Sequence, residues 1–415
     1  MFHSLTVLAL VLLATAALVD ALAATGTAPT INSPMTKPCP GLKTGMAYNR
    51  LGDSDLVVSR VCMGTMTFGR QNTIEEGVEQ LTRAWDLYGI NFLDTAEMYP
   101  VPTTAESAGL TDKTVAAFLK TRKREDVILA TKVAGTSTRI NWLRGESEKF
   151  CKLDKEQITY SIDASLKRLE TDYIDLLQIH WPDRYVGGLF GQPDYQVSKE
   201  TTDQDTSFEE QLAALNDAVK AGKVRYVGVS NETPFGVMSM VHLAERYPDL
   251  YPKIVSIQNS YSLLVRKDYE SGLTEVCSPR NCNVGLLAYS PLASGVLSGK
   301  YAKTDVDPKA RLNMFPGFME RYRESQPEAA TNAYSAIAKK HDLTPAQLAL
   351  AWCYHRDVVA STIIGATSLE QLDENLSAFD VKLPDEVLEE IEEVYKKYVD
   401  PTKAYNTPKP KPKDS

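Results

Sequence analysis

The sequence predicts a (β/α)8 barrel, which is a closed ring of eight parallel strands surrounded by helices. Eight short apolar or β-branched runs, each bounded by turn residues, alternate with segments of helical periodicity. A length of 415 residues accommodates one large α/β barrel or two ordinary domains. No Gly-x-Gly-x-x-Gly motif follows the first strand, as a doubly wound dinucleotide-binding sheet would require. The barrel is therefore favoured over the doubly wound alternative.

The alternation predicts the following elements. The strands lie at 60–63, 91–95, 126–133, 173–180, 224–230, 254–259, 284–290 and 358–364. The helices lie at 74–88, 111–120, 155–169, 208–221, 234–246, 269–276, 334–341, 345–355 and 369–377. Thr344, directly before a proline, gives a helix N-cap, and Gly222 ends the helix before the fifth strand. The stretch 46–58, with Gly52 and Asp53 at a turn, predicts a β-hairpin that closes the bottom of the barrel.

Composition and charge argue against several classes of function. The formal net charge of -9 argues against non-specific nucleic-acid binding, which needs a basic face. The six cysteines are too few and too scattered for a disulfide scaffold. Because no Cys-x-x-Cys motif occurs, we expect no metal site.

Both ends of the chain differ from its middle. The 1–23 segment contains an almost wholly apolar run at 5–19 and ends in a small-x-small triplet, which predicts a signal peptide and a secretory or extracellular location. The alternative is an uncleaved membrane anchor with a cytosolic catalytic domain, although the run is shorter than the about 20 residues that span a bilayer. Residues 24–45 are typical of a loose linker, and 398–415 of a flexible tail.

Polar side chains follow three neighbouring predicted strands. Asp94 ends the second strand and Tyr99 lies in the loop behind it. Lys132 ends the third strand and His180 ends the fourth, so all four are expected at one barrel mouth. A lysine ammonium lowers the pKa of a tyrosine hydroxyl, an aspartate keeps that lysine charged, and a histidine can hydrogen-bond a developing oxyanion. With a hydride donor, this set predicts carbonyl reduction.

The later strands supply residues suited to an extended anionic cofactor. Ser230 and Asn231 end the fifth strand, and Gln258 lies in the sixth. Tyr289, at the end of the seventh, can stack on a nicotinamide, while the amides bind its carboxamide. The small-residue loop at 290–300 lets backbone N–H groups approach a pyrophosphate.

The turn at 365–368, after the eighth strand, opens a helix whose N-terminus suits a phosphate. Gln371, Glu374 and Asn375 lie on the following turns, where they can reach ribose and adenine. Taken alone, this segment would be interpreted as an ordinary strand-to-helix turn. Alternatively, the residues at this mouth could belong to a lyase or aldolase in which Lys132 is a Schiff-base nucleophile. The residues predicted to bind a cofactor would then have no purpose.

Six segments carry a family resemblance. They are Asp-Thr-Ala-Glu-Met-Tyr at 94–99, Ala-Thr-Lys-Val at 130–133, Gln-Ile-His-Trp-Pro at 178–182, Gly-Val-Ser-Asn at 228–231, Tyr-Ser-Pro-Leu at 289–292 and Ile-Gly-Ala-Thr at 364–367. In this order they resemble the aldo-keto reductase family, in the branch similar to the bacterial Tas proteins. The resemblance covers roughly 46–397. It implies a barrel that reduces aldehydes or ketones with NADPH, with Tyr99 as general acid.

The resemblance also implies further cofactor contacts. These are Gly64, Thr65, Met66, Ser290, Pro291, Leu292, Ser294, Gly295, Leu297, Lys300, Gly365 and Thr367. Arg311 matches a cofactor-contacting arginine and is expected to bind the 2′-phosphate. Because some family members are regulatory partners of membrane channels, a non-catalytic nicotinamide-sensing subunit is the alternative function.

Two further features bear on the substrate and on the location of the protein. The long loops at 134–153 and 183–207 lie over the predicted mouth, and their aromatic side chains are expected to shape the pocket for a small carbonyl substrate or to pack as a lid. Those side chains are Trp142, Tyr185, Phe190 and Tyr195. Glycosylation sequons begin at Asn231 and Asn375, and a glycan on either would block the cofactor. In a eukaryotic source, this keeps the anchored, cytosol-facing alternative open.

Overall fold

The computed structural model describes residues 42–144, 151–188, 195–200, 205–302 and 308–406. The chain divides into two compact units, Met1–Lys37 and Pro38–Ser415, and every described residue lies in the second. The predicted signal peptide, most of the linker, Phe190 and the end of the tail lie outside the described residues, so these assignments stay predictions. Within the described ranges, no helix is long and apolar enough to cross a membrane.

The described residues form a closed barrel of eight parallel strands preceded by an antiparallel hairpin. The hairpin consists of β1 (Tyr48–Arg50) and β2 (Val57–Ser59). The barrel strands are β3 (Val61–Gly64), β4 (Phe92–Asp94), β5 (Ile128–Val133), β6 (Ile174–Ile179), β7 (Val224–Ser230), β8 (Ile254–Ser260), β9 (Gly285–Tyr289) and β10 (Val359–Ile364). Each strand pairs with the next along the chain, and β10 pairs with β3 to close the ring. The predicted fold class and all eight predicted strands are confirmed.

Helices cover the outside of the ring. They are α1 (Ile74–Tyr88), α2 (Leu110–Leu119), α3 (Lys155–Leu169), α4 (Phe208–Lys220), α5 (Pro234–Arg246), α6 (Lys267–Glu270), α7 (Leu273–Cys277), α8 (Arg311–Met314), α9 (Ser325–Lys340), α10 (Pro345–Tyr354), α11 (Leu369–Ser377) and α12 (Asp385–Lys397). The helix predicted at 269–276 is two short helices that break before Leu273, and α9 begins well before its predicted start. The sequence prediction omitted α12, although Val387 and Ile391 are buried at helical spacing.

The hairpin closes the amino-terminal end of the barrel, as predicted. Leu51, Leu56 and Val58 are buried in one cluster with side chains from the barrel interior. Gly52 has a φ of +53°, and a Cβ atom there would lie 2.3 Å from the carbonyl oxygen of Val255 near the start of β8. Only glycine therefore allows this turn to approach the barrel so closely. With the bottom filled, the carboxyl-terminal mouth is the end that is available for a site.

Candidate active site

The structure brings the four predicted catalytic side chains together at the carboxyl-terminal mouth. Asp94 is the last residue of β4, and Tyr99 lies in the loop that follows. Lys132 lies near the carboxyl end of β5, and His180 directly follows β6. All three strands are adjacent in the ring, because β4 pairs with β5 and β5 pairs with β6.

Lys132 is the centre of the group. Its side chain is fully buried, and its ammonium donates to Asp94 Oδ2 at 2.5 Å and to the carbonyl oxygen of Thr95 at 2.9 Å. The same Nζ lies 3.3 Å from the Tyr99 hydroxyl. A buried ammonium is stable only when it is paired and hydrogen-bonded, and these three contacts satisfy it.

Besides Lys132, three side chains from other parts of the barrel hold Asp94. Its second oxygen, Oδ1, accepts from the amides of Gln258 at 2.8 Å and Gln178 at 3.2 Å. Its backbone carbonyl accepts from the Thr65 hydroxyl at 2.9 Å. Gln258 and Thr65 were expected to contact the cofactor, which stays a prediction, and both side chains also support the aspartate. Gln178 lies in a segment of the family resemblance but was not predicted to be functional.

Burial and charge set the ionisation of the site. Burial raises the pKa of Tyr99, and although Lys132 opposes this as the sequence suggested, its effect is smaller. Burial alone would lower the pKa of Lys132, but the charge of Asp94 and its hydrogen bond to the ammonium raise it overall. Burial, aided by the lysine charge, holds the pKa of His180 well below its usual value. At neutral pH the site therefore contains a protonated tyrosine, a charged lysine and a neutral histidine.

His180 stands beside the tyrosine. The two rings meet edge to face, with centroids 5.7 Å apart and planes at 79°. Its Nδ1 atom is buried and has no hydrogen-bond partner in the described part of the chain. The backbone is fixed on both sides, since the amide donates to Val133 at 2.8 Å and the carbonyl accepts from the Asn231 side chain at 2.9 Å. A neutral imidazole so placed can hydrogen-bond a ligand oxygen.

The predicted nicotinamide contacts lie at the carboxyl-terminal ends of β7 and β9. Tyr289 donates its hydroxyl to Asn231 Oδ1 at 2.6 Å, and Asn231 has a left-handed backbone with φ +55°. The Ser230 hydroxyl donates to the carbonyl of Gln258 at 2.7 Å. Ser230, Asn231 and Tyr289 are thus joined to the catalytic group through His180 and Gln258.

The loop after β9 is a compact turn with several left-handed residues. Ser290, Ser294 and Gly295 have φ values of +56°, +58° and +92°. The side chain of Lys300 folds over Gly295, where an added Cβ atom would lie 2.5 Å from the lysine Cε. Pro291, Leu292 and Leu297 are buried or partly buried, so they support the loop by packing. The result is a backbone turn with a lysine beside it, a combination that suits a phosphate.

The loop after β10 caps α11. Ser368 is the N-cap residue, and the Gln371 side chain accepts from the Thr367 amide at 3.1 Å. Glu374 accepts from the Thr344 hydroxyl at 2.7 Å, and Asn375 donates to the carbonyl of Gly365 at 3.4 Å. These polar groups lie at the start of the helix and along its later turns, where a nucleotide was expected.

The remaining predicted cofactor residues lie after β3 and β9. Gly64 ends β3, and an added Cβ atom there would lie 2.8 Å from Ile363. Met66 accepts the Val101 amide through its backbone carbonyl at 3.3 Å. Arg311 donates to the Gln71 side chain at 3.2 Å, and its charge makes a small contribution that opposes the rise of the Tyr99 pKa caused by burial. Arg311 therefore lies over the mouth.

A buried ion pair next to Tyr99 was not identified from the sequence. Glu97 pairs with Arg144, and the two side chains are 2% and 1% exposed. Glu97 also accepts from the Ala134 amide at 2.5 Å and the Ser161 hydroxyl at 2.6 Å. The pair joins the catalytic loop to the long loop after β5. An acidic residue inside the 94–99 motif was the one sequence signal that pointed to it.

Several aromatic side chains of the two long loops pack against other aromatic rings. Tyr185 and Tyr195 pack with ring centroids 5.2 Å apart. Asp183 ties the loop after β6 to its surroundings, because its carboxylate accepts from the Leu153 amide at 3.2 Å and the Thr206 amide at 2.8 Å. Trp142 packs in a small cluster with Trp181.

Comparison with known proteins gives consistent matches. The model for the "Aldo/keto reductase family" matches residues 60–396. Protein tas of Escherichia coli is 44% identical over 358 residues, which are 86% of this chain and 99% of that protein. An "Aldo-keto reductase" of Babesia bovis is 40% identical over 283 residues, 66% of this chain and 98% of that protein. A "Probable voltage-gated potassium channel subunit beta" of Oryza sativa is 32% identical over 365 residues, 87% of this chain and 100% of that protein.

The Glu97–Arg144 pair generates a stability prediction. Arg144→Met leaves the buried carboxylate of Glu97 without its cation and is expected to lower the free energy of unfolding by about 3–5 kcal/mol. The double variant Arg144→Met/Glu97→Gln should regain part of this loss, because an amide carries no charge. Urea unfolding followed by circular dichroism measures both.

Lys155→Met is the matched control, because the pair of Lys155 with Asp217 is exposed and contributes little. If Arg144→Met were no more destabilising than this control, the buried pair would not hold the two loops together.

Proposed function

The chain belongs to the aldo/keto reductase family and is an oxidoreductase, and on that premise we propose that it reduces an aldehyde or ketone to an alcohol with NADPH. The observation that carries the proposal is the contact of one buried ammonium, that of Lys132, with both the Tyr99 hydroxyl and the Asp94 carboxylate. This arrangement prepares a tyrosine to release a proton.

Each catalytic residue has a separate task in the proposal. When bound, the nicotinamide supplies a hydride to the carbonyl carbon. Tyr99 gives its proton to the carbonyl oxygen, and Lys132 stabilises the tyrosinate that forms. His180, which is neutral, hydrogen-bonds the same oxygen as negative charge develops on it. Asp94 touches none of the reacting atoms and keeps Lys132 charged.

The residues around the mouth fit a phosphorylated dinucleotide. The turn at Ser294 and Gly295, with Lys300 beside it, suits the pyrophosphate. The N-terminus of α11 suits a second phosphate group. Arg311 supplies a further positive charge over the mouth and is proposed to bind the 2′-phosphate that distinguishes NADPH from NADH. Tyr289 and Asn231 are proposed to contact the nicotinamide.

A second candidate is a nicotinamide-sensing regulatory subunit. It is favoured by the relative from Oryza sativa, whose name describes a probable potassium channel subunit beta. The two candidates differ in turnover, because a sensor needs to bind NADPH but does not need to reduce a carbonyl rapidly.

The general acid generates the first functional prediction. Tyr99→Phe is expected to lower kcat for aldehyde reduction by about 10²–10⁴-fold, because the proton donor is lost, while the Kd of NADPH changes little. Steady-state absorbance at 340 nm and cofactor fluorescence measure the two quantities. Tyr160→Phe, at an exposed tyrosine of α3, is the control.

Retained turnover in Tyr99→Phe would refute the assignment of the acid. Tight NADPH binding by the wild type without turnover on an aldehyde panel would instead support the regulatory subunit.

The proposed role of Arg311 in cofactor preference gives a second functional prediction. Arg311→Met should raise the Kd of NADPH by about 10-fold or more and leave the Kd of NADH nearly unchanged, because only NADPH carries a 2′-phosphate. Fluorescence titration of both cofactors against the wild type and the variant measures this. Equal losses for the two cofactors, or a wild-type preference for NADH, would overturn the role of Arg311.

A further inference from the structure

Arg321 is a buried cation that the proposed mechanism does not use. It lies in a short turn between α8 and α9, and only 7% of the residue is exposed. Its guanidinium lies over the ring of Tyr322, 4.9 Å from the centroid, and donates to the Tyr322 hydroxyl at 3.2 Å. Within the described ranges, no carboxylate lies at ion-pair distance from it. Burying a guanidinium without an anion is costly, so the absence of a partner calls for an explanation.

The guanidinium lines a cleft that adjoins the catalytic group. The cleft is also lined by Asn231 and Tyr289, which are hydrogen-bonded to each other at 2.6 Å. Asn231 in turn donates to the backbone carbonyl of His180 at 2.9 Å. A ligand in this cleft would therefore lie beside the group proposed to reduce a carbonyl.

The carboxylates that face the cleft have cations of their own. Asp268 pairs with Lys403 at 2.6 Å, and Glu232 pairs with Arg184 at 2.6 Å. The positive charge of Arg321 therefore remains in excess at the cleft wall. This positive charge can attract an anionic ligand to the cleft.

Neutral polar groups in the same wall also lack partners. The hydroxyl of Ser260 and the Oδ1 atom of Asn259 are buried and have no hydrogen-bond partner among the residues that the structure describes. Buried polar atoms are nearly always paired in folded proteins. The Ser260 hydroxyl can donate to an anionic oxygen held by Arg321.

We propose that Arg321 anchors a carboxylate or phosphate group on the carbonyl substrate, so that the enzyme prefers aldehydes and ketones that carry a negative charge. This inference rests on the proposed reductase function and names its substrate class. A planar guanidinium suits either anion, because it can donate two parallel hydrogen bonds.

Matched substrate pairs test the proposal. The pairs are 4-carboxybenzaldehyde with 4-methylbenzaldehyde and succinic semialdehyde with butanal, whose members differ mainly in charge. With NADPH, the wild type should show a lower KM for the anionic member of at least one pair. Arg321→Met should raise that KM by about 10- to 100-fold and leave the neutral member within about 2-fold. For the anionic substrate, the KM of Arg321→Lys should lie between those of the wild type and Arg321→Met.

Controls separate this effect from fold and cofactor. Arg246→Met removes an exposed arginine at the far end of α5, by the bottom of the barrel, and should change neither KM. Thermal unfolding checks that the variants are folded, and Arg321→Lys retains the charge if Arg321→Met does not fold. The Kd of NADPH should be the same in all of them.

Three outcomes would overturn the proposal. The first is an equal change for both members of each pair. The second is a raised Kd of NADPH in Arg321→Met with the preference for anionic substrates retained, which would assign Arg321 to the cofactor pyrophosphate. The third is a wild type that reduces neutral aldehydes at least as well as anionic ones.

A titration independent of turnover separates failure of the inference from failure of the proposed function. Calorimetry with benzoate and benzyl alcohol on the NADP+-loaded protein should show benzoate binding that Arg321→Met abolishes. If no aldehyde is reduced, the reductase function fails, and the titration alone decides whether Arg321 is an anion site. The anion-site assignment is overturned if the wild type does not bind benzoate. It is also overturned if Arg321→Met binds benzoate as tightly as the wild type does.

Discussion

The contact between Lys132 and Asp94 is the interaction on which the rest of the site depends. A fully buried ammonium is charged only because a carboxylate lies 2.5 Å away. That carboxylate is in turn held by Gln178 from β6 and Gln258 from β8. Polar groups from separate strands therefore converge on one ion pair, and they can do so only because the ring closes. The closed barrel therefore stabilises the charge of Lys132, on which the proposed chemistry at the mouth depends.

The same pair sets the ionisation of its neighbours. Burial holds Tyr99 protonated, which a proton donor requires, while the lysine makes the loss of that proton less costly. Burial and the lysine together hold His180 neutral, which suits a hydrogen-bond donor to an oxyanion. Away from this centre, Arg321 is a buried cation without a carboxylate partner among the described residues. One part of the mouth is thus proposed to act on a carbonyl group, and another to bind an anion.

The sequence predicted what local periodicity determines. Each barrel strand is an apolar run that ends in a polar residue, so the eight strands and the positions of Asp94, Lys132 and His180 followed from the pattern. Periodicity alone was less reliable for helices, since α12 was omitted and the predicted helix at 269–276 is two short ones.

The residues that the sequence did not reveal are those whose roles come from tertiary contacts. Glu97 and Arg144 lie 47 positions apart and have no local pattern in common. The sequence suggested only a cofactor contact for Gln258, and the hydrogen bond of its amide to Asp94 appears only in the fold. Arg321 lies in an irregular turn, and its burial follows from packing that no sequence period encodes.

The most direct test of the central ion pair is the pH dependence of kcat/KM for aldehyde reduction in the wild type and in Asp94→Asn. In the wild type, the rate should stay level until the pH approaches the raised pKa of Tyr99, above 10. In Asp94→Asn, burial should lower the pKa of Lys132 below its usual 10.5, because the carboxylate that opposes burial is gone. The variant should be slower by about 100-fold, and its rate should fall as the pH rises through that lowered lysine pKa. An Asp94→Asn enzyme with the rate and pH profile of the wild type would contradict the account.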